Sequence, residues 1–567
     1  MLVRFSSYPY MLPLLAPLLL CAPLCAQTGG AFQENLRFRG ELSFDSLGSS
    51  VSRAGDINGD GVQDFLAGAE FADANGVIAS GRVYVRSGQN GDLLYLLEGT
   101  GLFQFFGASV SELGDVNGDG IDDFLVGAPG TKVNGMNSVG AVMVYSGADG
   151  SELYRKTGSA VFDLFGSHVS AAGDVNQDGV PDFVVGLFYL DVGGLNYAGT
   201  AKVYSGATGA LLYQFDGTLQ YQGLGRGATG AGDVNNDGFD DIIVGALSGT
   251  LVDSALVFSG ADGSQLYTLQ GAGDDYHGIS VDGLGDINGD GFDDLVVGAS
   301  LADSQGLSNN GRILVYSGFD GSVLHQVDGF NSDDNLGGTV SSAGDFDGDG
   351  ITDFMGAAQG VDHNGLDLAG SVYIYSGASG ALISEIAFEE VGGTLRNFSL
   401  DFIGDLSNDG YSDIMVGDAA ATQPFQGSGT TFLYGFNPFL NPSATTVSAA
   451  SGGTISYEFD FSSEAGLFEY RMLVSASGPG QFQFGIDIPL TFDGLVRRTA
   501  SGNYPTGFTS GFSGLLTSSG KANGSATLPA GALTSLIGTT LYMAAVANEA
   551  GQLPSFSSVA VPLEILP

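Results

Sequence analysis

Carboxylates placed two residues apart in a tight turn are donors for a hard cation, and this chain carries such a turn seven times. At Asp115–Asp123 it reads Asp-Val-Asn-Gly-Asp-Gly-Ile-Asp-Asp. Oxygen-bearing side chains stand at positions 1, 3, 5 and 9, and the glycine at position 6 permits the sharp bend that lets alternate residues aim their oxygens at one Ca2+. The seven donor sets are Asp56, Asn58, Asp60 and Asp64; Asp115, Asn117, Asp119 and Asp123; Asp174, Asn176, Asp178 and Asp182; Asp233, Asn235, Asp237 and Asp241; Asp286, Asn288, Asp290 and Asp294; Asp345, Asp347, Asp349 and Asp353; and Asp405, Ser407, Asp409 and Asp413. The carbonyl of position 7 (Val62, Ile121, Val180, Phe239, Phe292, Ile351 and Tyr411) adds a further expected oxygen. The sixth loop is all acid. The seventh is the poorest donor set, because a serine hydroxyl stands at position 3.

An EF-hand would need a bidentate Glu at position 12 and a following helix. Position 12 holds Ala67, Val126, Val185, Val244, Val297, Gly356 and Val416, in segments that continue as strands, and dockerin-like repeats fail in the same way. A metal-free Asx turn explains one copy. It does not explain seven, each gathering three or four acids. We therefore expect up to seven structural Ca2+ ions. At tenfold excess over Kd, each ion would stabilise the fold by about 1.4 kcal/mol, and seven such terms, about 10 kcal/mol, rival the net stability of a domain.

Net charge is −46, with 63 Asp+Glu against 17 Lys+Arg. Such a surface repels phosphate, so nucleic-acid binding is not expected, and anionic membranes are equally poor partners. Roughly a third of the acid sits at the proposed ligand positions. A salt-tolerant surface accounts for the rest better than for the loops. The 93 glycines follow no collagen-like period and suit many tight turns between short strands.

The elements that position the loops follow from the spacing. First aspartates at 56, 115, 174, 233, 286, 345 and 405 mark a repeat of 53 to 60 residues, the sign of stacked supersecondary units. In each, a strand such as 108–113 leads into the loop, Phe124-Leu-Val-Gly leads out, and Ala141-Val-Met-Val-Tyr and Glu152-Leu-Tyr-Arg follow across turns. Four strands in each of seven repeats predict a seven-bladed β-propeller. Gln33–Gly40 matches the segments that end later repeats, whereas the last repeat stops at Phe432-Leu-Tyr-Gly-Phe436 without that strand. The surplus and the deficit predict a ring closed by the N-terminal strand.

With Phe106-Gly107, Phe165-Gly166 and Gly127-Ala-Pro129 beside these loops, the repeats resemble FG-GAP repeats, the unit of the integrin α-chain head. The third element softens to Gly68-Ala-Glu70, Gly245-Ala246 and Gly298-Ala-Ser300. Blades 4 and 6 carry Leu-Gly, blade 5 has His277-Gly278, and blade 7 has lost the pair at Asn397-Phe398-Ser399. The resemblance covers about residues 33–437 and implies a secreted, integrin α-like propeller of bacterial type, with calcium hairpins and a bias toward adhesion.

Around this unit we expect four further features. Arg4, the apolar run Met11–Leu24 and Cys-Ala-Gln read as a signal peptide over 1–26, cut after Ala26. Cys21 and Cys25 would leave with it, so the exported chain would lack disulfides and need another staple. No later stretch is apolar enough to span a bilayer as a helix. Pro-Phe-Leu-Asn-Pro, after Asn437, makes a linker at 438–442, and the alternating strands of 443–567, such as Ile455–Phe461, suggest a β-sandwich of roughly immunoglobulin size.

No catalytic constellation stands out. Gly225–Gly230 fits G-x-G-x-x-G but leads to a calcium loop and no helix, Ser518–Lys521 fits S-x-x-K without its companion motifs, and His168, His277, His325 and His363 are scattered over different blades. The variable segments 70–81, 129–140, 187–199, 247–254, 300–311, 358–370 and 418–430 fall on the rim opposite the calcium hairpins. Loops on a rigid scaffold are where recognition resides. The leading reading is a secreted or cell-surface binding or adhesion module for a protein or glycan partner. The alternatives are a secreted polysaccharide hydrolase or lyase, which would need a convergent acid pair or an aromatic platform outside the metal loops, and a structural envelope or matrix component.

Overall fold

The computed structural model describes residues 31–437, apart from 249–251, 274, 364, 389–397, 407–410 and 423–424, together with a set of strands and short adjoining segments between 440 and 566. The expected signal peptide and donors Ser407 and Asp409 lie outside the described residues. Every described element is a strand, and no described helix is long and apolar enough to cross a membrane.

The first complete blade pairs strands β2 (Leu47–Arg53), β3 (Phe65–Ala69), β4 (Arg82–Arg86) and β5 (Leu93–Glu98) in antiparallel order. Burial follows position in the ring. All five residues of β3 are buried, because neighbouring blades cover both of its faces, whereas β5 at the perimeter has only exposed and half-buried residues. Five more four-stranded sheets repeat this order. The seventh takes its outer strand from the start of the chain: β1 (Ala31–Arg39) lies against Thr430–Asn437, with Ala31 opposite Asn437 and Arg39 opposite Thr430. The seven-bladed all-β propeller and its N-terminal closing strand stand as the repeat spacing predicts.

The Phe-Gly and Gly-Ala-Pro elements meet across blade boundaries. A Cβ on Gly127, the glycine of Gly-Ala-Pro in blade 2, would lie 2.0 Å from the carbonyl oxygen of Gly166 in blade 3, and one on Gly68 would lie 2.1 Å from that of Gly107. Blade stacking therefore rests on backbone against backbone. Where blade 7 has lost its Phe-Gly pair, the matching glycine in blade 6 is also gone and Ala357 stands there. The phenylalanine of the pair is a plug. Phe106 and Phe165 are buried edge-on to Tyr145 and Tyr204, with centroids 6.1 and 5.9 Å apart. Blade 5 puts His277 in this place, edge-on to Tyr316 at 5.9 Å. Its Nδ1 is buried without a partner, and burial pushes the imidazole down to about 4.

Inner strands diverge around the axis, so side chains bridge them. Ser50 and Ser52 of blade 1 accept from Val110 N and Glu112 N of blade 2, each at 3.0 Å, and Ser280 accepts from Val340 N at 3.0 Å. Between blades 7 and 1, Asp401 accepts from Arg53 N at 2.9 Å and from Arg53 Nη1 at 3.3 Å. Arg53 also reaches Glu112 at 2.5 Å and lies over Phe402 at 4.3 Å, tying three blades together. At the perimeter, Tyr95, Tyr154, Tyr213 and Tyr267 each donate to a third-to-fourth-strand turn carbonyl of the next blade (Gly147, Gly206, Gly260 and Gly318), and His325 replaces tyrosine in the same contact with Gly377.

The described C-terminal strands form one sheet in the order Leu440–Pro442, Gly453–Asp460, Lys521–Leu528, Thr509–Ser510, and another built on Glu469–Ser475, Thr540–Asn548 and Val561–Leu566.

Two outcomes follow for thermal unfolding. Gly127→Ala should destabilise the ring by several kcal/mol, because the new methyl meets a backbone oxygen that no rotamer can move. His277→Phe should raise stability by about 1 kcal/mol by removing an unsatisfied buried nitrogen. The gain should grow as pH falls below the ordinary histidine range: a group whose folded pKa is depressed loses stability on acidification, and phenylalanine does not titrate.

Candidate metal centres and the opposite loop rim

Each candidate loop joins the first and second strands of a blade, and the first five are held by the same bonds. The position-1 carboxylate accepts from the amides of positions 5 and 6: Asp56 from Asp60 at 3.0 Å and Gly61 at 2.8 Å, Asp174 from Asp178 and Gly179 at 3.0 and 2.8 Å, and likewise Asp115, Asp233 and Asp286. The position-5 carboxylate accepts from position 7, as Asp60 does from Val62 and Asp237 from Phe239, each at 3.0 Å. Position 3 bridges: Asn58 Nδ2 donates to Asp64 Oδ1 at 3.1 Å while Asn58 Oδ1 accepts from Asp60 N at 2.9 Å. Asn117 and Asn288 do the same, and Asn176 reaches Asp182.

The position-9 aspartate enters the next strand fully buried. Asp64 Oδ2 accepts from Ile57 N at 3.0 Å and Oδ1 from Gly88 N at 3.1 Å, fixing the loop to the third-to-fourth-strand turn of its own blade. Asp123, Asp182, Asp241, Asp294 and Asp353 bind the equivalent Gly147, Gly206, Gly260, Gly318 and Gly377. Burial pushes these carboxyls up, to about 6 for Asp64, Asp123 and Asp294 and about 7 for Asp182 and Asp241, against the amide bonds and with help from neighbouring acids. A charge held at such a cost calls for a countercharge.

The sixth loop states the demand most clearly. Asp347 stands where five other loops have asparagine, so no amide donor bridges to Asp353. Carboxylate oxygens of Asp345, Asp347 and Asp353 lie within 4.8 Å of one another. Asp345 Oδ1 is buried with no hydrogen-bond partner, and burial with mutual repulsion raises both Asp347 and Asp353. An all-oxygen, multiply anionic donor set with an orphaned buried oxygen fits Ca2+. In the fourth loop, Asn235 Oδ1 is likewise buried and unpartnered. Position 1 of the seventh loop, Asp405, and position 9, Asp413, are described, and Asp413 accepts from Leu406 N at 2.8 Å.

Two positions escaped the donor pattern. Position 8 reaches back to the preceding blade: Asp240 accepts from Asp174 N at 2.7 Å and Asp293 from Asp233 N at 2.8 Å. Aspartates at 122, 240 and 293 were the signal in the sequence. Position 2 is apolar in every loop and buried in most of them, and it seats on the next blade: Val175 lies against the turn at Gly260 and Val234 against that at Gly318. An ion that fixes a loop therefore also fixes two blades.

The opposite rim carries the second-to-third-strand loops and the connections between blades, bonded to one another. Phe44, Phe103, Phe162 and Tyr221 occupy matching places in four successive connections, each with φ between 53° and 66°. Their amides bond to loop carbonyls of Gln426, Ile78, Asn137 and Asn196 at 2.8–3.4 Å. All four rings are exposed. These connections complement the variable segments read from the sequence. Their signal was an aromatic three residues before Leu47-Gly48, Phe106-Gly107, Phe165-Gly166 and Leu224-Gly225.

The FG-GAP repeat family matches residues 47–85, 106–145, 226–269 and 277–316. Integrin alpha-V of Gallus gallus is 32% identical over 226 residues, covering 37% of this chain and 21% of the relative. Integrin alpha-5 of Xenopus laevis is 32% identical over 229 residues, covering 38% and 21%. The chain spans about a fifth of the length of these curated relatives. Among solved structures, Saccharomyces cerevisiae Sqt1 aligns with a TM-score of 0.41 and 12% identity over 72% of this chain and 99% of its own. The chain is an FG-GAP repeat protein distantly related to integrin alpha chains.

Substituting Asp347→Asn gives the sixth loop the amide bridge of its neighbours and removes one repelling charge. In chelator, the variant should melt higher than the parent, by the equivalent of about 1–2 kcal/mol. The rise in Tm on adding Ca2+ should be smaller in the variant. Calorimetry with and without chelator reads both, and a parent protein indifferent to chelator would count against metal in these loops.

Proposed function

We propose that this FG-GAP propeller, distantly related to integrin alpha chains, is a secreted, calcium-stabilised binding module that meets an extracellular protein or glycan through its loop rim. One asymmetry carries the reading. Leu42, Phe44, Phe71, Ile78, Leu102, Phe103, Val161, Phe162, Tyr189, Tyr197, Leu219, Tyr221, Val252, Tyr276, Phe330 and Phe425, most of the exposed large apolar side chains among the described residues, stand on that rim. Among the described residues, the calcium rim offers Phe319, with Leu93, Leu211 and Val323 at the starts of the outer strands beside it. An apolar surface of this extent on one end of a highly charged protein marks an interaction face.

The two rims divide the work. The donors of loops 1 to 6, from Asp56 to Asp353, and Asp405, Ser407, Asp409 and Asp413 of the seventh would hold Ca2+, up to one ion per blade. The ion supplies the countercharge for buried carboxylates and stiffens the contact between blades. This staple suits an exported chain whose cysteines, Cys21 and Cys25, both fall in the expected signal peptide over 1–26. The propeller then occupies about 33–437, and the C-terminal strands form a sandwich-type module into whose first sheet Leu440–Pro442, expected as linker, already pairs.

No chemistry is assigned to the face. On the loop rim, Asp163 accepts from Ser159 and Ala160 amides at 2.6 and 2.7 Å and Asp191 from Tyr197 N at 2.8 Å. These acids hold loops in shape and do not form an acid–base pair. A protein or glycan panel screened with the full-length chain in Ca2+ tests the reading. The Phe103→Asp/Phe162→Asp variant should lose at least tenfold in affinity for any ligand found, whereas Phe319→Asp on the calcium rim should bind as the parent does. Equal binding by all three, or turnover of a glycan in the panel, would sink it.

A further inference from the structure

One cleft in the loop rim differs from the rest. It lies over blades 3 to 5, between the segments 160–164, 188–197, 221–226, 247–248 and 276–279, and encloses about 1360 Å3. That exceeds the roughly 300–1,000 Å3 that holds one drug-sized ligand, so the cleft has room for a short oligomer. Its walls are rings. Tyr197 stacks on Tyr221 with centroids 5.9 Å apart and planes at 27°, and Tyr189 stands edge-on to Tyr197 at 6.1 Å. Phe162 and Tyr276 border the same space, and all five rings are exposed. The rings are held from behind: Tyr221 N bonds Asn196 O at 2.8 Å and Gly223 N bonds Tyr197 O at 3.0 Å. Tyr197, Tyr221 and Tyr276 have φ of 48°, 61° and 59°, a conformation that bulky residues adopt only when their surroundings impose it.

One cation faces these rings. The Arg226 guanidinium lies over Phe188 at 4.6 Å and, among the described residues, makes no ion pair. Arg37, Arg53, Arg82, Arg155 and Arg312 all pair with carboxylates and Arg86 bonds the Gly91 carbonyl, so Arg226 keeps donors that these arginines have used. A planar guanidinium with unused donors matches a carboxylate. The amides behind the rings are already bonded within the loops, so an extended peptide finds little main-chain pairing there. A pyranose needs none: its C–H faces lie on the electron-rich faces of aromatic rings, and its hydroxyls bond to side chains.

We infer that this cleft is a saccharide subsite for an acidic glycan, with pyranose rings on the Tyr197–Tyr221 platform and a uronate carboxylate on Arg226. The inference rests on the loop rim being the binding face, and it names the ligand class. About a third of the 63 acids lie in the calcium loops at the other end of the ring, and the two carboxylates that line the cleft, Asp163 and Asp191, accept from the Ser159, Ala160 and Tyr197 amides.

The test is calorimetric titration of the full-length protein, in Ca2+, with oligogalacturonate, oligoglucuronate and oligomannuronate, each beside its methyl ester, and with an oligoglutamate peptide. At least one oligouronate should bind tenfold or more tighter than its ester. Arg226→Gln should abolish that preference while leaving ester binding in place, and Tyr197→Ala should weaken both. Phe319→Asp, on the calcium rim, should change neither, and melting temperatures should match the parent's. Absence of oligouronate binding, equal affinity for acid and ester, indifference to both cleft variants, or Arg226-dependent binding of the peptide alone would each overturn the inference. If the saccharides fail while another ligand remains sensitive to Phe103→Asp/Phe162→Asp, the rim reading survives and the glycan assignment falls.

Discussion

Each blade is fastened by a carboxylate taken out of water. The position-9 aspartates are wholly buried, and each of Asp64, Asp123, Asp182, Asp241, Asp294 and Asp353 bonds to the turn of its own blade. Burial makes the charge costly, and the amide donors around each oxygen return only part of that cost. The remainder sets the character of the loops. Five relieve it partly with an asparagine bridge, and the sixth, with Asp347, gives up the bridge and gathers three carboxylates within 4.8 Å of one another. Loop chemistry and fold stability are thus one problem, because the same residues anchor the strand and offer the oxygens.

Around that fastening, the blades touch where side chains have been removed. Glycine against glycine brings two backbones closer than any Cβ would allow, which turns the Phe-Gly and Gly-Ala-Pro elements into the two halves of one contact. The paired loss of both halves at the boundary between blades 6 and 7 follows from that geometry. Apolar position-2 plugs and position-8 carboxylates in the loops, inner-strand hydroxyls and outer tyrosines then repeat the coupling from the axis to the perimeter.

Much of this architecture was legible because it is periodic. Seven copies of the Asp-rich turn gave the blade count, and the surplus Gln33–Gly40 against the deficit after Phe436 gave the closure, since strand pairing must balance. Residues whose role depends on a neighbouring blade were harder to see. Asp240 and Asp293 look like spare acids until the next sheet is beside them, and His277 looks like a conservative change until its Nδ1 is found without a partner. The aromatic cleft was illegible for the same reason: Tyr197, Tyr221 and Tyr276 come from three separate connections that only the curvature of the ring brings together. The C-terminal region, with no repeat to align, yielded strands from alternation and little more.

The pairing of Ala31 with Asn437 has a consequence for how the chain is made. Synthesis runs from the N-terminus at about 5–20 residues per second, so the opening strand waits on the order of tens of seconds for its partner. Until then two sheet edges stand bare at the gap, each a template for a foreign strand. A chain cut short in the last repeat therefore holds six complete sheets and an unpaired opening strand.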